Sequence, residues 1–311
     1  MSQFSPPTIS NRGRYLRSIG LIVCAVALWS TGGLLIRLIT ADELTTLFWR
    51  SIFAITFIFL YLLLFRSHNQ LTFRAILNVG LPGLIVALCF TADAILCIYA
   101  FERTSVANVV IIFATTPLVA SLLASVVLHE SLSRTTWLAI TCTFGGVLWM
   151  VTGSTGETSL FGDLLALLAA ILFAVPIILL RRFPGINVVK AVFLSACLTA
   201  LTCAPVALTT KITFDDLYLL LLFGAFEYGG ATVLFSIGVK HVPIAQSTLL
   251  GLLEIVLAPL WVWWILAETP STKTVTGGSV VLLTLLIYTI YAIREEVKTS
   301  GEPLKKNTQD R

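Results

Sequence analysis

Long apolar runs separated by short polar connections occupy almost the whole chain. A helix that crosses the hydrocarbon layer of a bilayer needs roughly 20 mostly apolar residues. Ten segments meet this requirement, which predicts an all-α integral membrane protein with ten transmembrane helices. The fifth segment is close to the lower length limit and contains Gly145 and Gly146. The predicted spans are 19–39, 44–65, 76–99, 106–128, 135–151, 160–180, 189–209, 217–239, 244–266 and 275–293.

The composition excludes a soluble protein. Hydrophobic residues make up 57% of the 311 residues and charged residues only 12%, whereas a soluble domain has about 25% charged residues. The six cysteines lie inside apolar runs and are interpreted as small buried residues. The net charge is only +4, and the basic residues lie between the apolar runs without forming a patch. We therefore expect the lipid bilayer as the surroundings of this protein and no nucleic-acid partner. The further expectations are a small-molecule substrate, a monomer or weak dimer, and no metal or cofactor.

The distribution of Lys and Arg predicts the orientation, because cytoplasmic loops retain these residues. With the N-terminus in the cytoplasm, 15 of the 20 basic residues fall on the inner side. We therefore expect a multi-pass protein of the inner membrane with both termini cytoplasmic, in polar tails at 1–17 and 295–311. The five basic residues on the outer side are Arg37, Arg50, Arg103, Lys211 and Lys273.

The two halves of the chain resemble each other, which predicts a repeat over 18–152 and a second over 153–294. Each half has five spans, an odd number, so the second repeat must be inverted relative to the first. Inverted repeats are typical of secondary transporters, in which two similar bundles expose a central site alternately to each side. The matching pairs are Ala100 with Gly238, Ala107 with Ala245, Asn108 with Gln246, Glu130 with Glu268, Ser133 with Ser271, Arg37 with Arg181, Trp29 with Phe173, and Gly145 and Gly146 with Gly277 and Gly278.

An ordered set of short motifs over 18–293 resembles the drug/metabolite transporter superfamily, of the EamA-repeat type. The motifs are the glycine-bearing first span with Trp29, Arg50 early in the second span, Thr-Ser-Val-Ala-Asn at 104–108, Pro117 followed by His-Glu-Ser-Leu-Ser from 129, and Gly145-Gly146.

Within that superfamily the pattern is most similar to the YddG-type amino-acid exporters. The resemblance implies ten helices in a basket shape, export of amino acids or related metabolites, and no bound cofactor. One departure is Glu254-Ile255, where many relatives carry Glu-Pro; Pro259 follows one turn later, which leaves open where that helix bends.

Ionisable side chains inside the spans are the first candidates for transport, because each is unfavourable in lipid unless it faces a wet cavity or a partner. Asp93, Glu227 and Glu254 qualify. Glu227 and Glu254 either contact the substrate or carry a proton, or they are held by hydrogen bonds between helices. Asp93 has the same alternatives, and a simple pairing with Arg50 would have no role in transport.

Aromatic and amide side chains form a second group of candidates. Trp29, Tyr99 and Tyr228 are proposed to line a substrate pocket, whereas 261–264 carries three tryptophans assigned to an aromatic belt at the membrane boundary. Asn108 and Gln246 occupy equivalent positions of the repeat and either bind substrate or bridge helices.

Three prolines inside spans are candidate hinges, because proline removes a helix hydrogen bond and kinks the helix. Such kinks are also common in membrane bundles without any hinge function. The three are Pro117, Pro176 and Pro259.

Absent motifs narrow the function. The sequence has no Walker phosphate loop, no His-Glu-x-x-His pair and no Gly-x-Ser-x-Gly, which argues against direct use of ATP, metal-assisted hydrolysis and serine hydrolysis. We therefore expect a secondary transporter that exports amino acids or related metabolites by alternating access, and not an enzyme. The alternatives are a carrier of cationic drugs, an exchanger of phosphorylated sugars or nucleotide sugars, and a membrane-embedded enzyme or scaffold.

Overall fold

The computed structural model describes residues 9–65, 79–127, 129, 132–152, 157–183, 185–239, 242, 247 and 250–301, and every regular element in them is helical. The elements are α1 (Ile9–Trp29), α2 (Gly32–Leu38), α3 (Glu43–Phe65), α4 (Gly80–Arg103), α5 (Val106–Phe113), α6 (Thr116–Val127), α7 (Arg134–Val151), α8 (Glu157–Arg182), α9 (Val188–Ala207), α10 (Phe214–Leu221), a π-helical segment (Leu222–Gly230), α11 (Ala231–Gly238), α12 (Leu253–Leu266) and α13 (Thr272–Gly301).

Eight helical stretches among the described residues are long and apolar enough to cross a membrane. The predicted fifth and ninth spans correspond to α7, with 18 residues, and α12, with 14 residues. Most of 243–249, which precedes α12, lies outside the described residues. Helix also continues into both predicted tails, since α1 begins at Ile9 and α13 ends at Gly301.

Polar side chains mark where several helices begin. A side-chain oxygen placed before the first turn accepts a hydrogen bond from a backbone N–H that has no partner within the helix, and such a cap contributes about 1 kcal/mol. Ser133 and Ser271, which the repeat pairs with each other, cap α7 and α13 in the same way. Further caps of this kind are Asp42 for α3, Ser105 for α5, Asn187 for α9 and Thr213 for α10.

The predicted first span is interrupted between α1 and α2. The Ser30 hydroxyl donates to the Ala27 carbonyl and the Thr31 hydroxyl donates to the Leu28 carbonyl, each at 2.7 Å. These bonds satisfy carbonyl groups that the regular helix ladder no longer serves. The chain resumes as a helix at Gly32.

The predicted fourth span is divided at Pro117, which lies in the first turn of α6. Proline has no backbone N–H, so the preceding turn loses a donor. Threonine hydroxyls replace it: Thr115 donates to the Ile112 carbonyl at 2.7 Å and Thr116 donates to the Phe113 carbonyl at 2.5 Å. The hydroxyl groups therefore compensate for backbone hydrogen bonds that are lost at the break.

The predicted eighth span contains the nine-residue π-helical segment Leu222–Gly230. π-Helices are rare, and they frequently mark functional sites, because the wider turn displaces side chains from the positions of a regular α-helix. This segment carries Glu227 and Tyr228, two of the residues singled out from the sequence.

Helices that correspond in the two halves pack against each other in antiparallel pairs. In α7 and α13, the Thr136 hydroxyl lies 3.4 Å from the Tyr288 hydroxyl. Further along, Gly146 faces Gly277, where a Cβ on either glycine would come within 3.0 Å or 2.6 Å of the other's carbonyl oxygen. Absence of side chains lets these backbones touch. Helices α3 and α9 form the second antiparallel pair, because residues near the start of α3 cluster with the end of α9.

Two further helix pairs also correspond between the halves. The rings of Phe90 in α4 and Phe173 in α8 are 5.5 Å apart, and those of Trp29 in α1 and Phe235 in α11 are 5.1 Å apart. Helices α4 and α8 supply the third and sixth spans, while α1 and α11 belong to the first and eighth. The contact between the third and sixth spans thus has a counterpart between the eighth and first spans.

Large apolar side chains also cover the outside of the bundle. Trp137, Leu138 and Leu148 of α7 and Leu283 and Ile287 of α13 are all more than half exposed. Extensive exposed apolar surface of this kind marks contact with a membrane. Together with the eight apolar stretches, it indicates a multi-pass membrane protein.

Candidate functional site

Arg50 of α3 and Glu227 of the π-helical segment form an ion pair inside the bundle. Arg50 Nη2 lies 3.6 Å from Glu227 Oε2, and both side chains are largely buried. The guanidinium carbon also lies over the rings of Phe223 and Tyr228, 4.5 Å and 4.2 Å from their centroids. Cation–π attraction of this kind strengthens away from water. Two aromatic rings and one carboxylate therefore hold the cation.

Two glycines allow this arrangement. A Cβ at position 224 would overlap the backbone carbonyl of Arg50, so Gly224 lets the π-helical segment touch α3 backbone to backbone. A Cβ at position 32 would come within 2.9 Å of Glu227 Oε1, so Gly32 gives the carboxylate room beside the break between α1 and α2. Gly224 therefore serves the close approach of two backbones.

Several polar atoms around this pair are buried without a hydrogen-bond partner among the described residues: Arg50 Nε, Glu227 Oε2 and Asp93 Oδ1. A buried donor or acceptor left without a partner is unfavourable by about 1–3 kcal/mol, and more when it is charged. Such atoms are consequently expected where a ligand binds. Arg50 contacts Glu227 in the structure, whereas the sequence had suggested Asp93 as its partner.

Two further carboxyl groups lie near this pair, those of Asp93 in α4 and Glu254 in α12. Asp93 interacts electrostatically with Arg50, and Glu254 interacts electrostatically with Glu227. The interior charged group therefore has three carboxyl groups and one guanidinium.

Glu254 lies in the first turn of α12 and is only partly buried. Two turns later, the indole N–H of Trp261 donates to the Ser30 hydroxyl at 3.0 Å. Trp261 therefore connects α12 to the break that also accommodates Glu227. This contact gives one of the three tryptophans assigned to an aromatic belt an interior hydrogen bond.

A second polar cluster lies where α4, α5, α8 and α13 meet. Asn108 donates to Asp163 Oδ1 at 3.0 Å, and the Thr104 hydroxyl donates to the same oxygen at 2.7 Å. The Thr274 hydroxyl donates to Asn108 Oδ1 at 2.8 Å. Asn108 thus bridges three helices in the structure, one of the two roles considered for it. Its repeat partner Gln246 lies outside the described residues.

Two ion pairs lie near this cluster. Arg37 Nε is 3.2 Å from Glu268 Oε2, and Arg37 also donates to the Thr104 carbonyl at 2.8 Å. Arg103 Nη1 is 3.2 Å from Glu43 Oε1. We call these two ion pairs together with Asn108, Thr104, Asp163 and Thr274 the end lock. Sequence reasoning missed these pairings, because the partners come from helices far apart in the chain.

The other residues predicted from the sequence, two aromatic residues and three prolines, lie at different places in the bundle. Tyr99 lies under the Arg103 guanidinium, 4.7 Å from it, and so belongs beside the end lock. Trp29 is half-buried against Phe235, just before the break after α1. Pro117 lies at a helix break, whereas Pro176 and Pro259 lie inside α8 and α12. Helix α12 thus continues through Pro259.

The fold and the buried charged group define a multi-pass membrane transporter, and comparison with known proteins supports this class. The model of the EamA-like transporter family matches residues 16–152 and again residues 160–290. The chain therefore belongs to the EamA-like transporter family, within the drug/metabolite transporter superfamily, and contains two EamA repeats. It is a transporter and not an enzyme.

One sequence relative and one solved structure are similar to most of the chain. It is 25% identical over 260 residues to the S-adenosylmethionine uptake transporter of Rickettsia prowazekii (strain Madrid E), covering 82% of this chain and 85% of that protein. A solved crystal structure of a protein has the same fold, with a TM-score of 0.63 at 18% identity, covering 90% of this chain and 98% of that one.

Proposed function

We propose that the chain is a secondary transporter of the inner membrane that exports amino acids or related small metabolites by alternating access. The observation that carries this proposal is the buried pair of Arg50 and Glu227, which retains polar atoms without partners between two aromatic rings. A cation and a carboxylate at such a place match the two charged groups of an amino acid. The direction follows from the resemblance to the YddG-type exporters.

We propose further that the two repeats form ten spans of inverted topology, with both termini cytoplasmic. The antiparallel contacts between α7 and α13 and between α3 and α9 support it, as do the matched caps Ser133 and Ser271. An inverted pair of bundles exchanges shapes and so exposes one central site to each side in turn.

The orientation from Lys and Arg assigns the end lock to the outer face. In this proposal, the hydrogen bonds around Asn108 and the Arg37–Glu268 pair hold the outer face closed. They must break when the site opens outward, so the lock belongs to the alternation between states.

Transport by purified protein in liposomes tests the proposal. Uptake and efflux of a labelled panel that includes phenylalanine, threonine and methionine would be measured with and without a pH gradient, with Glu254→Gln as the variant. Saturable transport supports the proposal, and its loss in Glu254→Gln assigns that carboxylate to the transport path. Equal transport by the variant makes Glu254 structural. Absence of transport for every amino acid, with folded protein, contradicts the proposal.

S-adenosylmethionine is the second candidate substrate. It has the amino-acid head group and adds a positive sulfonium, so it carries a net positive charge. The carboxyl groups of Glu227, Asp93 and Glu254 outnumber the single guanidinium of Arg50 in this part of the interior and favour such a substrate, and the relative from Rickettsia prowazekii is named for its uptake. Competition between S-adenosylmethionine and the best amino acid of the panel distinguishes the two. Phosphorylated sugars are disfavoured by the same excess of carboxylates, since phosphate binding requires several cations.

A further inference from the structure

Arg50 and Glu227 are held differently from a structural ion pair. Their 3.6 Å separation exceeds a hydrogen-bond distance, and Arg50 Nε and Glu227 Oε2 are buried without hydrogen-bond partners among the described residues. By comparison, Arg37 approaches Glu268 to 3.2 Å and donates to a backbone carbonyl at 2.8 Å, although its Nε is likewise buried without a hydrogen-bond partner among the described residues. The interior pair differs in that both partners, the cation and the carboxylate, keep a buried polar atom without a hydrogen-bond partner.

The aromatic contacts explain how Arg50 stays in place with that capacity unused. Its guanidinium lies over Phe223 and Tyr228, and these contacts use the π electrons of the rings. The N–H groups of the guanidinium are not consumed by them. A planar guanidinium with available N–H groups is the preferred partner of a carboxylate, which it binds with two parallel hydrogen bonds.

Glu227 has a complementary surrounding. Its Oε1 packs closely against Gly32, where a Cβ would come within 2.9 Å, and the second carboxylate, Glu254, repels it electrostatically. A positive group beside Glu227 would offset this repulsion. The same position would give Glu227 Oε2 the partner that it lacks. The surroundings of Glu227 thus fit an ammonium group.

Building on the proposed function, we propose that Arg50 binds the α-carboxylate of the substrate and that Glu227 binds its α-ammonium group. The amino-acid head group takes the place of the direct contact between the two side chains. A molecule with only one of the two groups would leave the opposite protein charge buried and unpaired, which is strongly unfavourable. The pair therefore selects for molecules that carry both charges.

Inhibition of the wild-type protein tests this assignment without any substitution. The labelled substrate is the amino acid transported fastest in the panel above, for example L-phenylalanine. The competitors are 2-phenylethylamine, which lacks the carboxylate, and 3-phenylpropanoate, which lacks the amino group. Each should inhibit at least roughly tenfold more weakly than unlabelled L-phenylalanine, since each loses one charged hydrogen-bonding partner. Equal inhibition by either analogue overturns the assignment, whereas no transport of any amino acid contradicts the proposed function itself.

Two variants then separate the roles of Arg50 and Glu227. Arg50→Gln should weaken inhibition by L-phenylalanine roughly tenfold or more. Inhibition by 2-phenylethylamine should stay the same or become stronger. Glu227→Gln should show the reverse pattern, in which the acid keeps its inhibition. Exposed Lys211→Gln and Asp215→Asn make matched changes outside the site and should leave all three affinities unchanged.

A purely structural pair gives a different result. In that case, both variants lower the affinities for amino acid, amine and acid by the same factor, and this outcome overturns the assignment. Size-exclusion profiles and melting temperatures of the purified variants show whether each one folds. If a variant does not fold, Arg50→Lys retains the charge without the planar fork, and the wild-type inhibition pattern decides.

Discussion

The backbone of Gly224 lies directly against the backbone carbonyl of Arg50, with no room for a side chain between them. This contact joins the π-helical segment to α3. It also places the Arg50 guanidinium over Phe223 and Tyr228, on either side of Gly224 in the chain. Geometry at the charged group therefore depends on one glycine.

Gly224→Ala should destabilise the protein and reduce transport. The added methyl group forces the two backbones apart, and overpacking of this kind typically costs about 1–3 kcal/mol. A lower melting temperature in detergent and a lower transport rate are the expected results. Gly145→Ala is the matched control, because a Cβ there meets nothing within 4 Å. An unchanged melting temperature for Gly224→Ala would show that the contact is not tight.

Thr274→Val should loosen the end lock. Valine has nearly the shape of threonine but cannot donate to Asn108 Oδ1, which loses the 2.8 Å bond. A buried hydrogen bond of this type contributes about 1 kcal/mol. Faster hydrogen exchange at the start of α5 is the expected signal. Thr141→Val removes only an exposed bond within α7 and should leave the exchange rates unchanged.

Joining positions 37 and 268 should stop transport. In a variant whose six native cysteines are replaced, Arg37→Cys and Glu268→Cys would be linked by a flexible bis-methanethiosulfonate reagent. If the outer face opens by separating these positions, the link blocks transport and a reducing agent restores it. Each single-cysteine variant, treated identically, should stay active. Full activity of the linked protein would contradict the role assigned to the end lock.

Asp42 should make the stability of α3 depend on pH in acid. Burial raises the pKa of Asp42, but hydrogen bonds, including the 3.0 Å bond from the Thr45 backbone N–H, lower it by more, so its pKa lies below 3.8. A lowered folded-state pKa means that the contribution is present above the unfolded pKa of about 3.9 and is lost as pH falls through the folded value. Melting temperatures below about pH 4 should therefore fall more for wild type than for Asp42→Asn. Parallel curves for the two proteins would exclude this contribution.

Much of the architecture could be predicted from the apolar pattern. Each run reports how favourably its residues leave water, and this property belongs to the segment itself. Membrane class followed from it, and the two repeats followed from matched residues such as Ser133 and Ser271. The family match over 16–152 and 160–290 confirmed the EamA type. Arg50 and Glu227 could also be singled out, because a charge inside an apolar run is conspicuous wherever its partner lies.

The interruptions of the spans could not be predicted from the sequence. The break at Ser30 and Thr31 lies inside a run that reads as one continuous helix, and hydroxyl groups repair the lost backbone bonds there. The π-helical segment Leu222–Gly230 carries three glycines, but glycine content does not by itself distinguish a π-helix from an α-helix. Hydropathy records whether a segment enters the membrane and is insensitive to how its helix turns.

The sequence by itself determined that this protein lives in a membrane, that its halves repeat, and which few side chains carry charge into the interior. Only the tertiary structure decided which of these side chains form ion pairs with each other. Arg50 pairs with Glu227, 177 positions away, and not with Asp93; Arg37 pairs with Glu268. The physical reason is that partner choice depends on which helix faces touch, and that is decided by contacts such as Gly224 against Arg50, between segments remote in the chain.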